Sequence, residues 1–183
     1  MNKKILLILF SIFLPLLIVL FSYKAVLFFS SLEDNQQQTV DFLQGERLLL
    51  NYTVSEESHL EDVKGVMKFG DYLFYLSLLI VTLILTYHRK KKEEVKKLFF
   101  YGGITTIAFL LLMLIFSIIN FDVVFTYFHQ IFFPQGNWMF PSDSLLIQTF
   151  PREFFVSFSQ MIFRVSLILS GVILFLGMKK KKH

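Results

Sequence analysis

Residues 98–121 read LFFYGGITTIAFLLLMLIFSIINF, 24 positions without a single charge. As an α-helix rising 1.5 Å per residue, this stretch is about 36 Å long, enough to cross the ~30 Å hydrocarbon core of a bilayer. Three other blocks share the pattern. Residues 5–23 (ILLILFSIFLPLLIVLFSY) run uninterrupted until Lys24, residues 69–87 are charged only at Asp71, and residues 161–178 only at Arg164. Four spans are therefore expected, at about 5–23, 69–87, 98–121 and 161–178. Composition agrees: 55% of the 183 residues are hydrophobic and 24 are Phe, against 45–50% apolar in ordinary soluble domains. The first run exceeds the ~7–15 residues of a signal-peptide core, and YKAVLFFSS (23–31) offers no small-x-small cleavage site, so it reads as a span.

Basic residues orient the spans. Lys3 and Lys4 precede the first, Arg89, Lys90, Lys91, Lys92, Lys96 and Lys97 fill the link between the second and third, and Lys179–Lys182 follow the fourth. These 12 of the 18 Lys and Arg fall on one side, which the positive-inside rule makes cytoplasmic. Of the 14 acids only Glu93 and Glu94 share that side. Both termini are expected inside. The net charge of +4 then reflects topology and does not point to nucleic acid. The chain has no cysteine, which excludes disulfides and a cysteine acyl-enzyme.

The rest of the chain gathers outside, in segments 30–68 and 122–160. Structureless loops of that length are uncommon, so they are expected to form a cap on a single membrane domain covering 1–183. SLEDNQQQTVDFLQG (31–45) reads as a helix stopped by Gly45. RLLLNYTV (47–54) alternates with a two-residue period, the signature of a strand. SEESHLEDVKGVMKFG (55–70) opens a helix capped by Ser55 or Ser58, with His59 in its first turn, running on into the second span. Residues 122–128 are expected to continue the third span, PQGN (134–137) to turn, and DSLLIQTFP (143–151) to supply a second short strand. The fold class expected is an all-α transmembrane four-helix bundle with a small extracytoplasmic α/β cap. Pro15 should kink the first span, because it cannot donate to the Ser11 carbonyl. Gly102, Gly103, Thr105 and Thr106 read as a helix-packing patch.

Four histidines are available for chemistry. His88, in the basic link, and His183, at the last position, read as solvated. His59 and His129 both fall outside, near a span. Asp62, three residues after His59, shares its helical face and can fix the imidazole tautomer, while a helix N-terminus disfavours imidazolium. The plain alternative is a surface histidine in an acidic stretch. In FHQIFFPQGNWMFP (128–141), His129 stands among Phe128, Ile131, Phe132 and Phe133. Either it belongs to an interfacial aromatic belt with Tyr127 and Trp138, or its apolar surroundings lower its pKa and suit a base acting on a lipid-borne group. Arg164 reads as snorkelling to the interface or pairing with a cap carboxylate. There is no G-x-S-x-G elbow, no H-E-x-x-H and no phosphate loop, and His59, Glu61 and His129 lack metal-ligand spacing.

Together, SEESHLEDVKGVM (55–67) before one span and FHQIFFPQGNWMFPSDSLLIQTFPREFF (128–155) before the last resemble the lipoprotein intramolecular transacylase (Lit) family of bacterial membrane proteins. The link 138–143 departs from the family pattern, which has a longer spacing and an acidic residue before the proline; Asp143 follows Pro141 here. The resemblance implies four spans with an extracytoplasmic cap in a Gram-positive plasma membrane. It implies transfer of the sn-2 acyl chain of a diacylglyceryl lipoprotein to the α-amino group of its amino-terminal cysteine, leaving a lyso-form lipoprotein. The family's catalytic histidines match His59 and His129. Attack by the substrate's own amine needs a base, oxyanion donors and an acid, but no acyl-enzyme. Asp62, Asn137, Trp138 and Arg164 are the candidates for binding or orienting substrate, with Asn137 and Trp138 as hydrogen-bond donors near His129. The expected partners are the diacylated lipoprotein and membrane lipid. No cofactor, metal or nucleic acid is expected, and the chain is expected to act as a monomer. The competing reading is a non-enzymatic membrane protein, a small transporter or accessory subunit, although the spans lack the mid-membrane charges and repeats of transporters.

Overall fold

The computed structural model describes residues 3–178, without the side chains of residues 117–119; Lys179–Lys182 and His183, used above, lie outside the described residues. Seven helices make up the described chain: α1 (Lys3–Phe29), α2 (Asp34–Gln44), α3 (Val54–His88), α4 (Lys92–Ile119), α5 (Phe121–Phe132), α6 (Leu145–Thr149) and α7 (Arg152–Gly177). Helices α1, α3, α4 and α7 are each long and apolar enough to cross a membrane. The chain divides into two compact units. One comprises residues 1–28, 72–115 and 160–183, the other residues 29–71 and 116–159.

In the first unit α1 buries a ridge of every fourth residue: Leu6, Phe10, Leu14, Ile18, Ser22 and Val26. The first four pack with Val81, Ile84 and Leu98. Large apolar side chains elsewhere on the spans, Ile8, Leu79 and Phe175 among them, are exposed, as lipid-facing residues are. Close approach depends on glycine. A Cβ on Gly102 would stand 2.6 Å from the Leu14 side chain, and one on Gly177 would stand 2.3 Å from the Phe100 backbone. Pro15 lies inside α1 and leaves the Ser11 carbonyl without its helical donor. The Thr105 hydroxyl from α4 donates to that carbonyl at 3.2 Å. His88 is buried, not solvated: its Nδ1 meets the Ile84 carbonyl at 3.0 Å, closing the end of α3 on itself.

The second unit carries no strand among the described residues, so the α/β cap is corrected to an all-helical one. Residues 47–53 do alternate. Leu48, Leu50 and Tyr52 turn inward to pack with Phe42, Leu60 and Leu146, while Leu49, Asn51 and Thr53 face out. No second strand pairs with them, and the Tyr52 N–H bonds locally to the Leu50 carbonyl. The other supposed strand is α6, started by Ser144, whose hydroxyl accepts from the Ile147 N–H. Asn120 ends α4 and caps α5 by accepting from the Val123 N–H, so residues 122–128 begin a new helix rather than extend the span. Gly45 (φ 117°) ends α2 in the left-handed conformation that favours glycine. α2 is tied to α6 by Gln36 Nε2, which donates to the Thr149 carbonyl at 2.9 Å.

Candidate active site

Neither Ser55 nor Ser58 caps α3. Thr53 does: its hydroxyl accepts from the Glu56 N–H, and the Glu56 carboxylate accepts from the Thr53 N–H at 2.8 Å. This reciprocal capping box starts the helix at Val54 and moves His59 to its second turn. The first-turn dipole therefore contributes little at His59. Glu56 is only 1% exposed, and its other oxygen accepts from the Leu146 N–H of α6 at 2.9 Å. Burial pushes its carboxyl up, but hydrogen bonds from Leu146, Thr53 and Ser144 outweigh that and hold it below the usual carboxylate range. Glu56 is the structural residue that the sequence reading missed, although the T-x-x-E spacing at 53–56 signals it.

One turn after Glu56, His59 meets His129. The rings are stacked, with centroids 6.1 Å apart and planes 27° from parallel. His59 is 6% exposed and His129 9%. Helix α5 buries this histidine while Val123, Tyr127, Phe128 and Ile131 stay exposed. That inverts the pattern of a soluble helix and suits one lying at a lipid surface. The two imidazoles are walled by Phe133, 4.8 Å from His59, by Phe140 at 5.7 Å, and by Phe125 and Trp138, 4.1 and 4.9 Å from His129. A groove of about 400 Å³ on α5, lined by Asn120, Asp122, Thr126 and Gln130, contains neither histidine.

The surroundings set the protonation states. Burial, reinforced by the neighbouring His129 ring and opposed by Asp62, pushes His59 down to about 4. Burial also lowers His129, against the opposing hydrogen bond at Phe125. Both rings are therefore neutral at neutral pH. His129 Nδ1 lies 2.8 Å from the Phe125 carbonyl, which can only accept, so Nδ1 carries the hydrogen and Nε2 keeps the lone pair. His59 Nδ1 is buried without a hydrogen-bond partner among the described residues.

Asp62 does not orient His59. Its Oδ2 accepts from Gln135 Nε2 and Asn137 Nδ2, both at 2.7 Å. This fastens the 133–140 loop to α3. Asn137 thus has its amide N–H₂ engaged and is not the donor expected near His129. Trp138 does pack on His129. Asp143 is exposed and takes no part in the cluster, and Arg164, exposed on α7, belongs to the first unit. Among the described residues no group of three His, Asp or Glu side chains is arranged to hold a metal ion.

The sequence profile of the lipoprotein intramolecular transacylase Lit family matches residues 30–155. The chain belongs to the Lit family. It is an acyltransferase of the lipoprotein-modifying class, integral to the membrane. No curated protein sequence matches it significantly. Its fold is similar to the in meso structure of the membrane integral lipoprotein intramolecular transacylase Lit from Bacillus cereus. That likeness has a TM-score of 0.82 at 22% identity and covers 95% of this chain and 93% of the other. Two Bacillus cereus Lit variants, with a histidine replaced by arginine or by alanine, match at TM-scores of 0.77 and 0.78 and 21% identity. They cover 96% of this chain and 90% and 91% of theirs.

Proposed function

We propose that this Lit-family chain moves the sn-2 acyl chain of a diacylglyceryl lipoprotein to the α-amino group of its amino-terminal cysteine, with His59 and His129 as acid and base. The observation that carries the reading is the pair of neutral, stacked imidazoles, one of them holding a free Nε2 lone pair. His129 Nε2 takes a proton from the cysteine ammonium. The freed amine attacks the sn-2 ester carbonyl of the same molecule, forming the C–N bond. As the tetrahedral intermediate collapses, the C–O bond to glycerol breaks and the departing oxygen takes a proton. The ammonium sheds two protons in all: His129 passes the first on to water, and His59 relays the second from nitrogen to the departing glyceryl oxygen. With the Asn137 N–H₂ engaged, the Trp138 indole N–H is the side-chain donor for the oxyanion.

Holding nucleophile and ester in one molecule supplies much of the rate, and the aromatic walls exclude water. The cap, formed from about 30–68 and 122–160, faces the extracytoplasmic side, both termini are cytoplasmic, and the protein acts as a monomer without metal. The test is mass spectrometry of a lipoprotein's amino-terminal peptide after incubation with the purified protein. The expected product carries one acyl group on nitrogen and a free sn-2 hydroxyl. Unchanged diacylglyceryl peptide, or activity that chelation abolishes and zinc restores, contradicts the proposal.

A further inference from the structure

Four buried side-chain polar atoms lack a hydrogen-bond partner among the described residues: Ser77 Oγ, Ser166 Oγ, His59 Nδ1 and Asn137 Oδ1. The two serine hydroxyls sit in spans, where a rotor can turn toward its own helix backbone. The other two belong to one cluster in the cap. A buried unpaired polar group costs about 1–3 kcal/mol, and a native structure that keeps two in one unit needs a reason for both.

The identity of the Asn137 atoms follows from its neighbour. An ionised carboxylate can only accept, so the amide atom 2.7 Å from Asp62 Oδ2 is Nδ2, and the atom left without a partner is the carbonyl oxygen. Ser58 Oγ, at 3.5 Å from Nδ2, lies on the same side. Gln135 Nε2 donates to the same Asp62 oxygen, and an Asn137 amide turned over would set its carbonyl oxygen against that carboxylate. Ser58 and Asp62 flank His59 on α3, and the next residue in the loop, Trp138, stacks on His129. A buried acceptor, on an amide tied to a carboxylate, therefore lies one residue before the indole packed on His129 and is held by side chains one residue before and three after His59.

From this geometry we infer that Asn137 Oδ1 accepts an N–H of the substrate's α-ammonium, holding the amine while His129 Nε2 takes its proton. The inference rests on the proposed transacylation. It makes Asn137 a recognition residue for a free amino terminus and Asp62 a positioning residue that aims it. A lipoprotein whose amine is already acylated offers no ammonium to this oxygen, so the site would discriminate substrate from product and from N-acylated lipoproteins.

The test uses a dialkyl-ether glyceryl-cysteine peptide, whose sn-2 chain cannot transfer, with its amine either free or acetylated. Binding of each to the purified full chain in detergent is compared. Wild type should prefer the free amine by about 10-fold or more, the size of one hydrogen bond to a charged group. Asn137→Ala and Asn137→Ser should reduce that preference to within about 3-fold, the free-amine peptide losing more affinity than the acetylated one. Asp62→Asn should do the same with Asn137 intact. Equal weakening of both peptides in all three variants, or an undiminished preference, overturns the inference even if wild type still converts the diester peptide. Failure of wild type to convert the diester peptide overturns the transacylation itself, and this inference with it.

Discussion

The two units handle buried polar groups in opposite ways. In the membrane unit most buried hydroxyls turn back on their own helix: Ser22 to the Ile18 carbonyl, Thr106 to Gly102, Ser170 to Ser166. In the cap the bonds reach across the chain, Gln36 to Thr149 over 113 positions, Glu56 to Leu146 over 90 and Asn137 to Asp62 over 75. The membrane unit keeps polarity local because an unpaired group in lipid is expensive wherever the helix packs. The cap uses polarity to fix one arrangement of distant segments, while each unit leaves two buried polar atoms unpaired among the described residues.

The sharpest way to break that contrast is at the imidazoles. His129→Gln and His59→Gln should each lower transacylation by roughly 10²–10⁴-fold, the usual loss of a general acid or base, with the protein still folded and inserted. Mass spectrometry of the lyso-form peptide against time measures it.

Glu56 comes next. Glu56→Gln keeps the shape but turns a donor toward either the Thr53 or the Leu146 N–H. This should destabilise the cap by about 2–3 kcal/mol, the range for a buried hydrogen bond to a charged group. Hydrogen exchange should quicken at the amides of 145–149 and stay unchanged in α1 and α4. Equal acceleration in both units would erase the contrast.

Acid should act on the cap in a similar range. His59 falls from 6.5 to about 4 on folding, so between those values the unfolded chain binds the proton first. Its contribution is full above about pH 6.5 and is lost as pH falls toward 4, roughly 2 kcal/mol between pH 7 and pH 5. His129, lowered too, adds in the same direction. Exchange protection of the cap amides, followed from pH 7 to pH 5, should fall in wild type and fall less in His59→Phe. The smallest effect belongs to the spans. Thr105→Val removes the donor to the Ser11 carbonyl and should cost about 0.6 kcal/mol, read from unfolding in detergent.

The four spans are legible in the sequence because crossing a bilayer is a local demand, met residue by residue in runs such as 5–23 and 98–121. His59 and His129 are visible as candidates for the same reason: each sits beside the end of an apolar run. What holds them is not local. The Thr53–Glu56 box competes in sequence with Ser55 and Ser58, and burial of the Glu56 carboxylate against Leu146 decides between them. The alternation of 47–54 is real, but a two-residue period reports which side chains turn inward, not whether another strand pairs with the backbone. Asp62 looks like a partner for His59 at three-residue spacing, yet two amides from the 133–140 loop satisfy it better than one imidazole would.

The claim that His59 and His129, 70 positions apart, work as one site is tested most directly by the rate of His59→Gln/His129→Gln beside the two single variants. Residues acting as a unit are non-additive. The double variant should be slower than the worse single by about 10-fold or less, far short of the product of the two losses. A double variant whose loss equals that product, or a single variant that converts lipoprotein to the lyso-form at the wild-type rate, would contradict the shared site.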